Sequence, residues 1–248
     1  MKKQLIILML GSTVQAMEKN SLTNLPKDLK PLIVSQLLSA NTPQEAVQNL
    51  KNFALVNKEF TSMIKDPQSL FSLVLQVIPS NNTPEQVGKI LKTVTLLNPA
   101  VTTVINNPIN LKKLLVPYVK NFVKNTHGKR YYTRTFFPVI KKAIEQLNIP
   151  EAYQWVMQNM NFYTIDNRIG NAYHIVLETN NPTVSEIYQA AAQVLNKSEE
   201  EINLTYRRNS QHETIPKTDA KATLASLNIP QNTTFYYEPR MASNKSIV

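Results

Sequence analysis

Few residues of this chain have the types and spacing that catalysis or metal binding requires. The sequence contains no cysteine, which excludes thiol catalysis, thiolate zinc sites and disulfide bonds. Its histidines, His127, His174 and His212, lie far apart, and none has a second ligand three or four residues away. Asp166, His174 and Glu178 show no paired acid and base constellation. The sequence therefore predicts no enzyme and no metal site.

Glycine usage argues against a nucleotide enzyme. Only four glycines occur in 248 residues, and none belongs to a GxxxxGK or GxGxxG pattern, in which backbone amides approach phosphate. No cofactor is expected. A chain of this length can form one large domain or two smaller ones, and two modules are the expectation.

The first residues, "MKKQLIILMLGSTVQA", have the order of an export signal. Two lysines precede a short apolar run at 5–10, and Val14, Gln15 and Ala16 have the small-x-small pattern of a cleavage site. Residues 1–16 are thus predicted to be a signal peptide, leaving Met17 at the mature start. The run is too short to cross a bilayer of roughly 30 Å, so no stable membrane insertion is expected. A buried first helix remains the alternative.

The next segment predicts a helical hairpin. In "NLPKDLKPLIVSQLL", at 24–38, leucine and isoleucine recur every four residues, as on one face of a helix. The recurring residues are Leu25, Leu29, Ile33 and Leu37. A second helix is predicted to start at Pro43, because Thr42 precedes it as an N-cap.

An internal repeat follows. Residues 41–70 align without gaps onto 82–111, so that each matching residue recurs 41 positions later. The matching residues of the first copy are Thr42, Pro43, Leu50, Leu55, Asn57, Ile64, Pro67 and Leu70. This length is close to that of stacked helical repeats, in which neighbouring units share one core.

Residues 112–142 contain nine lysines or arginines and no acidic residue, and so carry most of the net charge of +10. Aromatic residues lie between them: Tyr118, Phe122, Tyr131, Tyr132, Phe136 and Phe137. Such a stretch can bind nucleic acid or an anionic membrane. Aromatic residues at helical spacing usually face the core, however, and no RNA-binding signature is present. Nucleic acid is therefore not the expected partner, and an acidic protein partner stays open.

From Met160 the hydrophobic period changes from helical to alternating. The predicted order is strand, strand, helix, strand, short turn and strand, with the helix in "TVSEIYQAAAQVLNK". The expected fold class is α+β.

The segment 160–240 resembles ubiquitin in this order and in "PTVSEIYQAAAQVL", "INLTYRR" and "TLASLNIPQNTTFYYEPR". The resemblance implies a β-grasp that folds alone. The implied core consists of Phe162, Ile175, Leu177, Val184, Ile187, Ala191, Leu204, Leu224, Ile229 and Phe235. The tail 241–248 has no Gly-Gly end, so conjugation is not expected. The positions through which ubiquitin is read by its partners are polar here: Thr205, Tyr236 and Glu238.

The segment 21–79 is similar to an F-box. "LPKDLKPLIVSQL" followed by "LKNFALVNKEF" matches the family pattern, although Phe60 stands where tryptophan is usual and the loop is longer. The resemblance implies binding to the adaptor of a cullin–RING ubiquitin ligase. The implied contact residues are Leu25, Pro26, Leu29, Ile33, Leu37 and Phe60, together with Leu50, Leu55 and Val56.

These expectations combine into an exported bacterial adaptor or effector, periplasmic, secreted or delivered to a host cell. Its predicted parts are a signal peptide at 1–16, an F-box-like region at 21–79, a helical repeat region at 80–159, a ubiquitin-like domain at 160–240 and a tail at 241–248. A second protein partner is unidentified. The alternative is a structural helical-repeat protein with a β-grasp cap.

Overall fold

The computed structural model describes residues 29–78, 83–126, 133–167 and 171–239. The chain divides into two compact units. The helical unit is Met1–Leu111 with Gln146–Asn148, and the sheet unit is Lys112–Glu145 with Ile149–Val248. In their described parts the first is built of helices and the second adds a five-stranded sheet, so the chain is α+β as predicted. The predicted signal peptide and the predicted tail lie outside the described residues.

The helices before the sheet follow one another through short connections. They are α1 (Leu29–Leu38), α2 (Pro43–Val56), α3 (Lys58–Lys65), α4 (Pro67–Val77), α5 (Pro84–Leu97), α6 (Val101–Ile105), α7 (Pro108–Asn125), α8 (Thr133–Glu145) and α9 (Ala152–Asn159). From Lys112 onward α7 belongs to the sheet unit, as do α8 and α9.

The two copies of the internal repeat start their helices in the same way. The hydroxyls of Thr42 and Thr83 accept hydrogen bonds from the N–H of the third helical residue, at 3.2 and 3.3 Å. A proline occupies the first helical position in each copy, where its missing N–H costs no hydrogen bond. Helices α2 and α5 both contain 14 residues. The sequence repeat is thus a repeat of local structure.

The copies also pack against each other. Helices α2 and α5 are in contact, and the equivalent residues Leu50 and Leu91 are both buried. The side-chain amide of Asn98 donates to the carbonyl oxygens of Ile64 and Lys65, at 3.1 and 3.2 Å. Because the last carbonyls of a helix lack partners within it, this amide stabilises the end of α3 and links it to the second copy.

Helix α1 buries a different stripe from the one predicted. Among residues 32–38, whose burial the structure describes, Val34 and Leu38 are buried, whereas Ile33 and Leu37 are half-buried. The reason is that α1 contacts both α2 and α4, so its buried face lies between two partners. A four-residue spacing in the sequence cannot show which of two adjacent stripes is central.

The strands of the sheet unit are β1 (Asn161–Asp166), β2 (Ala172–Leu177), β3 (Ile202–Arg208), β4 (Gln211–Thr214) and β5 (Thr234–Pro239), with helix α10 (Val184–Leu195) between β2 and β3. Their order in the sheet is β2-β1-β5-β3-β4. The pair β1 and β5 is parallel, and the other neighbours are antiparallel. The sequence predicted every strand but β4, which is only four residues long and mostly exposed.

Helix α10 covers one face of the sheet. It starts with a capping box, in which the Thr183 N–H donates to the Glu186 carboxylate at 2.7 Å and the Glu186 N–H donates to the Thr183 hydroxyl at 3.3 Å. Apolar residues of the helix and strands form a core between them. Members of that core include Tyr163, Ile165, Ile175, Ile187, Leu204 and Phe235.

Helix α8 covers part of the opposite face. The Phe136 ring stacks on His174 of β2 at 3.7 Å between centroids and meets Phe162 of β1 edge-on at 6.3 Å. Phe137 also meets the Phe162 ring, at 5.9 Å. Phe162, predicted to lie in the β-grasp core, is therefore buried on the α8 side, while Tyr163 and Ile165 face α10. Strand β1 is buried on both faces.

Candidate interaction surfaces

The predicted partner-binding residues of the helical unit have different environments. Leu25 and Pro26 lie outside the described residues, and Leu29 is the first residue of α1. Ile33 and Leu37 are half-buried. Of the predicted set, Ile33 and Leu37 therefore lie at the edge of a packed surface.

Phe60 belongs to the interior of the helical unit. It is only 5% exposed, and its ring lies 5.0 Å from that of Phe53. Its backbone N–H donates to the side chain of Asn57, which caps α3, at 2.8 Å. Val101, the equivalent residue of the second copy, is also buried. A partner reaching Phe60 would have to displace this packing.

The described part of this unit exposes three leucines and one isoleucine, Ile109, which is 67% exposed. Leu55 is 84% exposed, Leu32 is 61% exposed and Leu96 is 48% exposed. Leu55 and Leu96 are equivalent positions of the two copies, on the adjacent helices α2 and α5, and are called the leucine pair below. The F-box resemblance had included Leu55, but Leu32 was missed because the predicted stripe excluded it.

The described aromatic residues of the basic segment mostly serve packing. Tyr118 and Phe136 are buried, and the Tyr118 hydroxyl donates to the carbonyl oxygen of Ala143 at 3.0 Å. These rings are therefore not available as stacking platforms for bases. Residues 127–132, with Tyr131 and Tyr132, lie outside the described part of the chain.

The positions that correspond to the partner-reading patch of ubiquitin lie on β3 and β5. Thr205 is buried and Tyr236 is half-buried, with its ring 4.9 Å from that of His212. Glu238 pairs with Asn203 in the strand register. A buried threonine cannot form the centre of an accessible patch, so this surface differs from the one that the resemblance implies.

A groove of about 650 Å³ lies within the sheet unit. One wall is α7, with Lys120 and Lys124, and the other is α10, with Gln189 and Gln193. The four consecutive residues 174–177 of β2 lie between these walls. We call this the β2-edge groove. Sequence reasoning missed it, because its walls come from segments some 65 residues apart that only the tertiary fold brings together.

One acidic residue, Glu186, lines the β2-edge groove, and Glu178 follows the lining residue Leu177 in the chain; both are engaged. Glu178 forms ion pairs with Lys120 and, at 3.9 Å, with Lys112. Glu186 accepts hydrogen bonds in the capping box of α10. Within the described residues Lys124 forms no ion pair. The α7 wall therefore presents positive charge to an occupant.

The sheet unit contains core tyrosines with perturbed pKa values, while hydrogen bonds from Ser198 lower the pKa of the exposed Glu201. Burial raises the pKa of Tyr163 to about 12. Burial also raises the pKa of Tyr188, although a hydrogen bond from the Leu204 N–H acts in the opposite direction. These shifts keep the hydroxyls neutral and accompany packing. They do not create a nucleophile at neutral pH.

The acidic and basic residues that the sequence left without a catalytic pairing have structural contacts. His174 is buried, with Nδ1 at 3.1 Å from the Thr164 hydroxyl, and Glu178 forms the ion pairs described above. In the described ranges no three histidine, aspartate or glutamate side chains come close enough to hold a metal ion. The helices in those ranges include none that is both long and apolar enough to span a membrane.

No protein-family model, curated protein or solved structure matches this chain.

Proposed function

We propose that the chain is an exported, non-enzymatic adaptor of the ubiquitin pathway. Its helical hairpin binds the adaptor of a cullin–RING ubiquitin ligase in the manner of an F-box, and its C-terminal sheet is a ubiquitin-like β-grasp that docks onto a second protein. No catalytic residue is required, because the activity is the joining of two partners.

The β-grasp assignment is supported by the sheet topology. A central parallel pair, β1 and β5, is flanked by β2 on one side and β3 on the other. Helix α10 packs against one face of this sheet. This is the arrangement that the ubiquitin resemblance implies for 160–240. The short strand β4 extends the sheet beyond β3.

The observation that carries the proposed binding is the exposure of Leu55. An apolar side chain that is 84% exposed at the end of α2 contributes little to folding and can be buried by a partner. Leu32 on α1 is the second such residue of the hairpin. Both lie within the F-box-like region, whereas the predicted anchor Phe60 is occupied by internal packing.

The test is binding of the purified chain to the ligase adaptor, measured by calorimetry. Leu55→Asp should weaken binding by about tenfold or more, as loss of an interface anchor does, without changing the melting temperature. Leu96→Asp is the matched control, because it makes the same change at the equivalent position of the second copy. It should change the affinity by less than about twofold. The Leu25→Ala, Pro26→Ala double change extends the test to the N-terminal residues of the motif.

The second candidate is a structural helical-repeat protein. It is favoured by the equivalence of the two copies, in which Leu55 and Leu96 are both exposed while Phe60 and Val101 are both buried. This candidate requires that the wild-type chain not bind the ligase adaptor at micromolar concentration. Equal weakening by the two aspartate variants would also favour a surface made by the repeat rather than an F-box.

A further inference from the structure

The β2-edge groove is lined by one continuous face of each helix. On α10 the lining residues follow the i, i+3, i+4, i+7, i+8 pattern of a single helix face. They are Glu186, Gln189, Ala190, Gln193 and Val194. On α7 the lining positions 120, 123 and 124 have the same spacing. The groove is therefore a channel between two helix faces, with residues 174–177 of β2 between them.

Ion pairs hold the α7 wall against the end of β2. Glu178, the residue after the lining residue Leu177, pairs with Lys120 and, at 3.9 Å, with Lys112. The groove volume of about 650 Å³ lies within the roughly 300–1,000 Å³ that is typical of small-molecule sites. Because the walls are already linked, little ordering of the protein opposes the binding of a ligand.

The α10 side of the groove is the margin of the core between α10 and the sheet. Leu177, Ala190 and Val194 pack against that core, yet each is only half-buried. His174 and Ile175 are buried and do not belong to the reachable surface. An apolar chain that lies along the three half-buried residues would remove their exposed area from water and so extend the core.

The reachable polar groups of the groove include one lysine and one amide without partners. Lys124 and Gln193 are exposed, and in the described part of the chain neither side chain makes an ion pair or a hydrogen bond. Lys120 and Glu186 are engaged in the ion pair and in the capping box.

The charges at the groove do not balance. Three lysines, at 112, 120 and 124, stand against two glutamates, at 178 and 186, which leaves one positive charge. The uncompensated charge belongs to Lys124, because the other two lysines share Glu178 and Glu186 caps α10. The groove is therefore complementary to an occupant with one negative charge.

We propose that the β2-edge groove binds an aliphatic monocarboxylate, a small molecule with one negative charge and an unbranched apolar chain. The carboxylate pairs with the Lys124 ammonium, and the chain lies on Leu177, Ala190 and Val194. Both parts are required, because the lysine supplies charge and the half-buried residues supply apolar contact. This inference goes beyond the proposed function and depends neither on ligase-adaptor binding nor on the β-grasp assignment.

The experiment titrates four small molecules into the full chain and follows binding by calorimetry. Octanoate, octylammonium and octanol share one chain and differ in head group, whereas acetate has the head group alone. Octanoate should bind saturably at concentrations up to about 5 mM. Octylammonium should bind at least about tenfold more weakly and octanol about fivefold more weakly, because neither can pair with a lysine. Acetate should not saturate, since it covers no apolar surface.

Variants of the chain locate the ligand. Lys124→Gln should weaken octanoate binding by about fivefold and leave octanol binding unchanged. Lys113→Gln makes the same change on the same helix outside the groove lining, and should weaken octanoate binding by less than about twofold.

A second pair of variants tests the apolar part of the site. Ala190→Leu fills the groove and should weaken the binding of octanoate and octanol alike by about tenfold. Ala192→Leu, on the same helix and also half-buried but outside the lining, should change either affinity by less than about twofold. The single tryptophan, Trp155 in the sheet unit, reports whether each variant remains folded.

Backbone amide shifts from two-dimensional NMR of the full chain add a direct readout. Octanoate should move the signals of Lys124, Ala190 and Gln193. Movement at Leu55 and Leu96 instead would place the apolar chain on the leucine pair and would contradict the inference.

Several further results would overturn it. They are no saturable binding of octanoate, equal affinity for octylammonium, or equal weakening by Lys124→Gln and Lys113→Gln. Saturable binding of acetate with the affinity of octanoate would reduce the site to a surface anion contact. Concentration-dependent dimerisation that Ala190→Leu abolishes would assign the groove to a second copy and would equally contradict a small-molecule site.

Discussion

The two units of this protein bury their apolar residues in different ways. In the helical unit each repeat copy buries one side of its helices and leaves the same leucine position exposed, as Leu55 and Leu96 show. In the sheet unit the central strand β1 is buried on both faces, by α10 on one side and by Phe136 and Phe137 of α8 on the other. Packing covers one side of the repeat helices but both sides of β1.

This difference separates surfaces that are free to bind from surfaces that are already used. The leucine pair is exposed because a repeat helix needs only one buried stripe. The sheet face of β1 and β2, by contrast, is used by α8, and His174 and Ile175 of β2 are buried. The exposed candidate site that follows from this comparison is the side-chain surface of the helical unit.

The largest expected effect comes from removing the packing of α8 against the sheet. Phe136→Ala deletes the ring that stacks on His174 and contacts Phe162, and it should destabilise the sheet unit by about 3–5 kcal/mol. Urea unfolding followed by Trp155 fluorescence measures this, because that residue lies in the sheet unit.

Phe137→Ala is the control for this change. Phe137 is half-buried and contacts the same Phe162 ring, so its loss should cost about 1–2 kcal/mol. The fragment 160–240, predicted from the sequence to fold alone, lacks both phenylalanines and Trp155, so its unfolding and that of the full chain are compared by far-UV circular dichroism. If that fragment unfolds at the same urea concentration as the full chain, α8 is not needed to cover β1 and the contrast between the units fails.

The sequence predicts the features that depend on neighbouring residues better than those that depend on residues distant in the chain. Local signals succeeded: Thr42 caps a helix where predicted, and the 41-residue repeat reappears as helices of equal length, with Thr83 capping the second copy. The far side of β1 was missed, because in "NFYTID" both faces are apolar enough to be buried and alternation cannot identify a core face. Phe162 was consequently assigned to the wrong side.

The candidate sites were less predictable than the fold. The groove is formed by α7, β2 and α10, and no local sequence pattern predicts that these three elements come together. Phe60 of α3 was chosen by family resemblance, yet the structure packs its ring against Phe53 of α2 inside the helical unit. Exposure of Leu55 follows from where α1 and α5 contact α2, which the sequence does not state.

The second prediction concerns the α10 face of β1 at alkaline pH. The pKa of Tyr163 is raised by burial to about 12, above the value near 10 of an unfolded tyrosine. Its stabilising contribution is therefore complete below pH 10 and is lost as the pH rises through 12, by about 2–3 kcal/mol in total. Unfolding of the sheet unit should accordingly become easier above pH 10.

The matched variant for this prediction is Tyr163→Phe, which keeps the ring and removes the ionisable hydroxyl. The difference in unfolding free energy between variant and wild type should move in favour of the variant from pH 9 to pH 11, by about 1–2 kcal/mol. Trp155 fluorescence in urea again measures it. A difference that stays constant over this range would mean that the Tyr163 hydroxyl is not desolvated and that the α10 face is looser than described.

The smallest expected effect tests the helical unit at a point where its two copies differ. Gly88 of α5 stands where α2 has Val47, and a Cβ atom on Gly88 would lie 2.0 Å from the backbone oxygen of Gln146. The Gln146 side chain also donates to Glu85 at 2.8 Å, so the segment is held against α5. An alanine in a helix interior normally stabilises by about 1 kcal/mol relative to glycine. Gly88→Ala should instead destabilise by about 1–2 kcal/mol net, because backbone must move to admit the methyl group.

The sign of this change is the decisive measurement. Far-UV circular dichroism during urea unfolding follows the helices, and Val47→Ala at the equivalent position gives the control, with a loss below about 1 kcal/mol for a half-buried side chain. A stabilising Gly88→Ala would show that the segment at Gln146 does not press on α5. The equivalent positions 47 and 88 would then both accept a side chain. The two repeat copies would be alike at this position, as they are at the leucine pair.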